Sequence, residues 1–408
     1  MNEGALSGLL VLDLSRVLAG PWVGQTLADL GAEVIKVERP VSGDDTRSWG
    51  PPFLKDLNGE PTSESAYFAC ANRNKKSLTV DITRPEGQDV IRRLAERADI
   101  LIENFKVDGL KQYGLDYASL RKINPRLIYC SITGFGQTGP YASRAGYDFL
   151  IQAMGGLMSI TGQKDTEPGA GPQKVGVALT DILTGLYSTV GILAALSHRQ
   201  RSGEGQWLDM ALLDVQVASL ANQASNFLVG GESPTRMGNA HPNIVPYQDF
   251  PTRDGYMVIA VGNDAQFSRL CQAAGHPEIA IDPCYRTNKD RVQNRKELIS
   301  QMNAFTVTRS TQEWIKDLET VGVPCGPINN LEQVFADPHV MARQIHQQLE
   351  HPSMGMVSSV ASPIRLSETP VQYRMAPPLL GEHTHDVLRN LLGMSEQDVS
   401  DLQQAGVV

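Results

Sequence analysis

Asp181 is the residue from which a chemistry can be read. It stands alone in K-V-G-V-A-L-T-D-I-L-T-G-L-Y-S-T-V-G-I-L-A-A-L (174–196), after a Gly/Pro-rich loop and before residues 182–197, which carry no charge. A carboxylate at the mouth of an apolar helix has two readings. It can cap the helix, its oxygen accepting a free backbone N–H of the first turn. It can instead be a nucleophile: a partly desolvated carboxylate attacks a carbonyl and forms a covalent intermediate. The readings differ in where the carboxylate points, and spacing alone leaves both open.

Other candidate motifs carry less. Gly134-Phe135-Gly136-Gln137-Thr138-Gly139 matches G-x-G-x-x-G after a strand-like run. A dinucleotide fingerprint opens a helix after the first strand and has an acidic residue ~20 positions on. Here Pro140 follows at once, and Ser159 and Ile160 stand where the acid is due. The segment therefore reads as a loop that brings backbone close to a ligand. His383 and His385 lie two residues apart with no thiol nearby. A closed metal site needs four ligands, so no metal is expected. Five scattered cysteines without a C-x-x-C exclude a disulfide framework and point to a reducing compartment. A net charge of −9 argues against a nucleic-acid partner, though a local cluster of Lys and Arg can still hold a small anion.

These residues need a scaffold. Residues 9–14 and 33–37 read as buried strands around a short helix at 22–30, a β-α-β unit that implies a parallel sheet. Strands at 78–82, 100–103 and 127–132 and an amphipathic helix at 85–98 extend it. The first 135 residues thus predict an open, doubly wound α/β domain, with ligand outside the C-terminal strand ends. Residues 41–66 read as a long loop, 145–158 as helix, 161–172 as loop, 181–200 as the apolar helix and 206–228 as another long helix. A strand is expected within 357–366, and a helix at 384–392 capped by Thr384. Composition shifts at Gly230 and again near Gly326. The expected organisation is 1–229 as the first part of a large domain, 230–330 as a smaller α+β domain, and 331–408 completing the large one. A length of 408 residues, 41% apolar, suits two or three packed domains. The apolar run at 182–197 is shorter than the ~20 residues of a membrane span, so it reads as a buried core helix. Met1-Asn2-Glu3 shows no basic leader, so a cytoplasmic protein with no membrane partner is expected.

A family resemblance rests on stretches that occur in order along the chain. They are R-V-L-A-G-P (16–21), V-I-K-V-E-R-P (34–40), N-R-N-K-K-S (72–77), I-E-N-F (102–105), S-I-T-G-F-G-Q-T-G-P (131–140), A-G-Y-D (145–148), T-D-I-L-T-G (180–185) and P-L-L-G-E-H-T (378–384). From about residue 8 onward the chain resembles the class III CoA-transferases, a family that includes formyl-CoA transferase, carnitine CoA-transferase and α-methylacyl-CoA racemases. G-D-D-T-R-S-W-G-P-P-F (43–53), R-A-G-Y-D (144–148), I-V-P-Y-Q-D-F (244–250) and G-V-P-C-G-P-I-N-N (322–330) resemble the members acting on succinyl-CoA and glutarate. The resemblance implies a Rossmann-like large domain built from both chain ends, a smaller α+β domain, and an interlaced, ring-like homodimer. It implies no permanently bound cofactor; a coenzyme A thioester and a small carboxylic acid are the substrates.

By resemblance, Asp181 falls on the catalytic aspartate, which attacks the thioester, releases CoA thiolate and carries the acyl group as an anhydride. Tyr147 stands where the racemases have histidine. A phenol of unperturbed pKa ~10 is a poor base for an α-proton at neutral pH, so transfer is favoured over racemisation. Resemblance makes Tyr147 a CoA contact; its other reading is an ordinary buried aromatic. The same resemblance assigns Leu18, Ala19, Arg39, Val80, Asn104, Phe105, Lys106 and Lys111 to CoA. Gln112 replaces an arginine of some relatives, which leaves one phosphate contact open. Arg73, Lys75 and Lys76 read equally as a phosphate cluster or as solvated surface charge. Gly238-Asn239-Ala240-His241 replaces a polyglycine loop, with Arg236, Asn239 and His241 as candidates for the acceptor's far carboxylate. The expected activity is CoA transfer from an acyl-CoA such as succinyl-CoA to a dicarboxylate such as glutarate through Asp181. Two alternatives stand beside it: a racemase, which exchanges an α-proton and frees no acid, and a non-catalytic CoA-binding protein with Asp181 as a cap.

Overall fold

The structure is a computed structural model and describes residues 4–408. The chain divides into two compact units: one takes the residues up to Leu157, Lys174–Glu232 and His339–Val408, the other Met158–Gln173 and Ser233–Pro338. The composition-based boundaries assigned 158–173 to the large domain; that loop belongs with the second unit, which a composition shift at Gly230 could not reveal.

The first unit is built on strands β1 (Leu10–Asp13) and β2 (Glu33–Glu38), a hairpin β3 (Phe53–Lys55) and β4 (Pro61–Ser65), and strands β5 (Lys75–Thr79), β6 (Ile100–Glu103), β7 (Ile128–Thr133) and β8 (Trp207–Ala211). Six of these form one parallel sheet in the order β5-β2-β1-β6-β7-β8. Alternate residues of β1 feed two cores: Leu10 and Leu12 pack with one set of helices, Val11 with the other. Covering both faces is what a parallel sheet requires, and it explains why these strands read as apolar runs. Helices α1 (Ala19–Asp29), α2 (Ala66–Ala69), α3 (Pro85–Ala95), α4 (Tyr117–Ile123), α5 (Asp148–Met154), α6 (Leu157–Ile160) and α7 (Leu179–Ser202) follow in chain order. Helix α7 ends at Gly203, which takes the left-handed C-cap at φ 79°.

The edge strand β5 is covered by the returning C-terminal segment. Ser77 O accepts from His383 N at 2.9 Å, Thr79 N donates to Thr384 Oγ1 at 3.1 Å, and Asn74 N donates to Met375 O at 3.0 Å. For Arg73 and Lys75, burial overturns both readings of the basic run; Lys76 stays at the surface, in ion pairs. Lys75 is fully buried and paired with Asp13 at 2.8 Å, and Arg73 pairs with Asp29 at 2.6 Å. Lys76 bridges Glu33 and Asp386, each at 3.0 Å.

Other expectations change too. Residues 207–211 extend the sheet instead of opening a long helix, because they pair with β7; two shorter helices follow, broken at Ala221 (φ 46°). The 41–66 loop contains the β3–β4 hairpin. The late strand is Gly355–Val360, and the segment at Thr384 is one helical turn running into a π-helical one, with no side-chain cap at His383. Helix α7 is not a fully buried core helix. Its Asp181, Gly185, Ser188 and Ile192 face inward, while Leu186, Tyr187, Val190 and Leu193 are exposed. It is the one helix among the described residues long and apolar enough to cross a membrane, and half of that window is buried in the protein.

The second unit has a three-stranded antiparallel sheet, β9 (Tyr247–Pro251), β10 (Tyr256–Ala260) and β11 (Cys325–Pro327), in the order β11-β10-β9. Phe250, Phe267, Trp314 and Leu318 form its core with helices Asp264–Ala274, Arg295–Thr306 and Thr311–Thr320.

Candidate active site

In an open parallel sheet the ligand crevice lies where the strand order reverses, outside the C-terminal ends of the strands. Here that point falls between β1 and β6. The loops that leave them, Arg16–Ala19 and Asn104–Val107, line a cavity of ≈ 170 Å³ together with Thr133, Gly134, Arg144, Tyr147 and Asp181. A neighbouring cavity of ≈ 360 Å³ is lined by Arg39, Val80, Ile82, Gln112 and Tyr113. Arg16, Phe105 and Lys106 line both.

Asp181 is the third helical residue of α7 and is 8% exposed. Ala178 precedes the helix and has no capping side chain. The cap is supplied from elsewhere: Asp148 Oδ2 accepts from Thr180 N at 2.8 Å and from Asp181 N at 3.3 Å. Asp148 is itself steadied by Gln152, whose Nε2 donates to its Oδ1 at 2.7 Å. The capping reading of Asp181 therefore passes to Asp148. Among the described residues the Asp181 carboxylate has neither a hydrogen-bond donor nor a cation. Burial, and then the Asp148 charge, push it up to about 7. The position is set by close helix packing. A Cβ at Gly185, one turn beyond Asp181, would lie 2.9 Å from Ala19 O and 3.1 Å from Trp22 Cβ. Only glycine lets α7 approach the start of α1 this closely.

The predicted CoA residues separate into groups. Leu18, Ala19, Asn104, Phe105, Lys106 and Tyr147 share the cavity with Asp181, and Arg39 and Val80 share the larger one. Tyr147 is 65% exposed, so it is not a buried aromatic. Lys111 lines neither cavity: it pairs with Asp108 at 3.5 Å on the surface, while its neighbour Gln112 lines the larger one. The side chain of Asn104 is committed to the protein, accepting from Arg16 N at 2.9 Å and donating to Arg16 O at 2.6 Å. Arg39 and Arg16 share Asp45, at 3.1 and 3.0 Å.

The second unit holds Arg236, Asn239 and His241. Arg236 is engaged by the Asp165 carboxylate and the Ser159 carbonyl, so it is not a free cation. His241 Nδ1 accepts from Asn243 N at 3.1 Å, and burial and Arg295 lower its pKa, which favours the neutral ring. Asn239 lines a cavity of ≈ 200 Å³ with Gln163, Lys164 and Asp249.

Sequence reasoning missed Asp148, Arg144 and Arg16. Arg144 lies over the rings of Tyr141 (4.6 Å) and Phe135 (5.1 Å) and has no acidic partner among the described residues. Burial and the charge of Asp181 push the Tyr67 phenol up to about 12. The stretches A-G-Y-D and R-A-G-Y-D contained the signal for Asp148 and Arg144, but only folding brings them to α7. The G-x-G-x-x-G segment does serve close approach, though of backbone to backbone: a Cβ at Gly134 would lie 2.6 Å from Gly146 Cα.

The model for "CoA-transferase family III" matches residues 6–384. A succinate–glutarate CoA-transferase of Agrobacterium fabrum is 54% identical over 95% of both chains. The succinyl-CoA:glutarate CoA-transferase of Homo sapiens is 44% identical over 100% of this chain and 90% of its own length. A crystal structure of a CAIB/BAIF family protein from Brucella suis matches with a TM-score of 0.83 and 51% identity, covering 96% of this chain and all of that one. The chain belongs to CoA-transferase family III, enzymes whose substrates are CoA thioesters.

Proposed function

We propose that this protein moves CoA from succinyl-CoA to a dicarboxylate, glutarate foremost, with Asp181 as the nucleophile. One observation carries the reading: a buried carboxylate, relieved of helix capping by Asp148, lies in a cavity with no partner of its own among the described residues. The printed names of the relatives, which pair succinate or succinyl-CoA with glutarate, supply the substrates.

The ionised Asp181 oxygen attacks the thioester carbonyl carbon; the C–S bond breaks, CoA leaves as thiolate, and an acyl-aspartyl anhydride remains. The thiolate then attacks the aspartyl carbonyl, releasing the donor acid as carboxylate and leaving an aspartyl-CoA thioester. The acceptor carboxylate repeats the exchange in reverse order, which restores Asp181 and yields a new thioester. Burial suits this cycle, because water would hydrolyse each intermediate. The nucleotide end of CoA lies in the larger cavity by Arg39 and Val80, with Lys106 between it and Asp181. Arg144, a cation on the wall of the Asp181 cavity, takes the acceptor's far carboxylate by a bidentate pair; Arg236 would first have to give up Asp165.

The working form is an interlaced homodimer in the cytoplasm. The apolar stripe Leu186, Val190 and Leu193 with Tyr187 on α7 supports a partner subunit, as surfaces of this kind mark interfaces. Five free cysteines fit a reducing compartment. Sedimentation as a monomer at micromolar concentration would remove the dimer.

The decisive experiment incubates the protein with succinyl-CoA and a panel of mono- and dicarboxylic acids, and reads every new thioester by mass spectrometry. Glutaryl-CoA formation that disappears in Asp181→Ala is the expected result. Transfer persisting in that variant, or α-deuterium exchange without a new thioester, overturns the reading.

A further inference from the structure

The cavity wall beside Asp181 contains a backbone that should not be stable on its own. Val17 has φ 72°. A β-branched residue in the left-handed region is a steric outlier, and such conformations persist only where the surroundings over-determine them. The surroundings here are unusually complete. Ser15 N donates to Asp13 Oδ1 at 3.1 Å, and Ser15 O accepts from Lys36 Nζ at 3.0 Å. Arg16 N and O are both taken by the Asn104 amide. Val17 N donates to the Asp44 carboxylate, 3.3 Å from each oxygen.

Asp44 is fixed from behind. Its Oδ2 lies 2.8 Å from Lys36 Nζ, with both side chains fully buried, and its Oδ1 accepts from Thr46 N and Thr46 Oγ1 at 3.0 and 2.8 Å. Lys36 sits on β2 and Asp44 in the loop after it, so one ion pair ties the β2 exit to the β1 exit. Val17 and its neighbours Leu18 and Ala19 line the Asp181 cavity, whereas Asp44 lines the larger cavity beside it.

We propose that Asp44, backed by Lys36, is a positioning residue: it holds Val17 left-handed and so shapes the wall against which the Asp181 acyl intermediate forms. This rests on the CoA-transfer reading above. Asp44 acts through Val17 and touches no reacting atom in the cavity. The role also accounts for a charged pair in a place where apolar side chains would pack: a carboxylate can accept from Val17 N while bonded to an ammonium, and a hydrocarbon cannot.

The test is a rescue. Asp44→Asn is expected to lower kcat, read at saturating succinyl-CoA, roughly 10- to 100-fold, the rate equivalent of losing a strained conformation of this kind. Glycine accepts a positive φ without steric cost. Asp44→Asn combined with Val17→Gly should therefore recover to within about threefold of Val17→Gly alone, an allowance of about 0.7 kcal/mol. Val41, at φ 69° and 97% exposed, is the control, because it relieves similar strain outside the cavity. Asp44→Asn with Val41→Gly should stay slow. If Asp44→Asn leaves Lys36 too poorly paired to fold, Lys36→Met with Asp44→Leu replaces the pair by apolar groups, and the same rescue is read in that background. Wild-type kcat per folded molecule in Asp44→Asn, or equal behaviour of the Val17 and Val41 combinations, overturns the proposal while leaving CoA transfer intact. A wild-type protein that moves no CoA removes the functional reading itself, and the positioning role with it.

Discussion

Asp181 and Asp44 are buried aspartates of the same unit, and their surroundings treat them in opposite ways. Burial pushes Asp44 upward, but Lys36 and the Thr46 donors override it and hold the carboxyl down at about 2. Burial pushes Asp181 upward too, and the Asp148 charge adds to the shift, to about 7. Asp13 behaves like Asp44: burial is overcome by Lys75 and then Lys36. A charge in a low-dielectric interior is tolerated in proportion to its partners. Asp44 and Asp13 each have a buried ammonium beside them, and Asp181, among the described residues, has no cation paired with it.

The contrast can be broken, and the largest effect is kinetic. Asp181→Ala should cost transfer about 10³-fold or more, because the other carboxylate on its cavity wall, Asp45, is already paired with Arg16 and Arg39; steady-state thioester exchange measures it. Lys75→Met should leave Asp13 buried beside a single remaining ammonium and cost about 3–5 kcal/mol in urea unfolding. A cost under about 1 kcal/mol would show that these pairs are not what keeps the buried aspartates charged.

Asp181 should behave oppositely in stability. Its folded carboxyl keeps the proton between pH 3.8 and about 7. The penalty for its charge is therefore absent below about pH 4, grows as pH rises, and is complete above about pH 7. Asp181→Asn should stabilise the protein at pH 8, by up to about 4 kcal/mol, and give no such gain at pH 4. Thermal melts at the two pH values decide this. The same ionisation should make kcat/KM for succinyl-CoA rise through about pH 7. Asp44 contributes the other way: its stabilisation is present above pH 3.8 and lost as pH falls through about 2.

Two smaller effects sharpen the comparison on the cationic side. Arg144→Ala should raise KM for glutarate about 10-fold or more and leave monocarboxylates unaffected, since a bidentate charge-assisted pair contributes about 1.5–3 kcal/mol. Asp45 holds Arg16 and Arg39 in half-exposed pairs. Such pairs contribute about 0–1 kcal/mol, so Asp45→Asn should change stability little and tighten CoA binding only about 2- to 5-fold, as read by calorimetry.

Much of the scaffold was legible in the chain. The apolar runs at 9–14, 33–37, 100–103 and 127–132 correspond to strands because parallel strands are buried on both faces. Gly203 ends α7 as a C-cap glycine does. Residues 207–211 were misread because alternation in a half-exposed edge strand resembles a helical pattern over five residues. The basic run at 73–76 was misread because its partners lie far along the chain: Asp13 for Lys75, Asp29 for Arg73, and the C-terminal segment, about 300 positions away, for Asn74. Lys111 and Gln112 are adjacent, and no periodicity decides which of two neighbours at a helical turn meets a cavity.

The candidate site divides along the same line. The sequence by itself determined that a solitary carboxylate opens an uncharged helix, that a parallel α/β sheet carries it, and that motifs at 16–21, 102–105, 131–140 and 145–148 belong together. Only the tertiary structure decided that Asp148 caps α7 in place of Asp181, that Arg144 joins the cavity and Arg236 is already paired, and that Val17 is held by Asp44. Residue type and spacing follow from the local chain. Whether a carboxylate is paired, capped or exposed to a ligand depends on which distant side chains arrive beside it, and that is settled by packing.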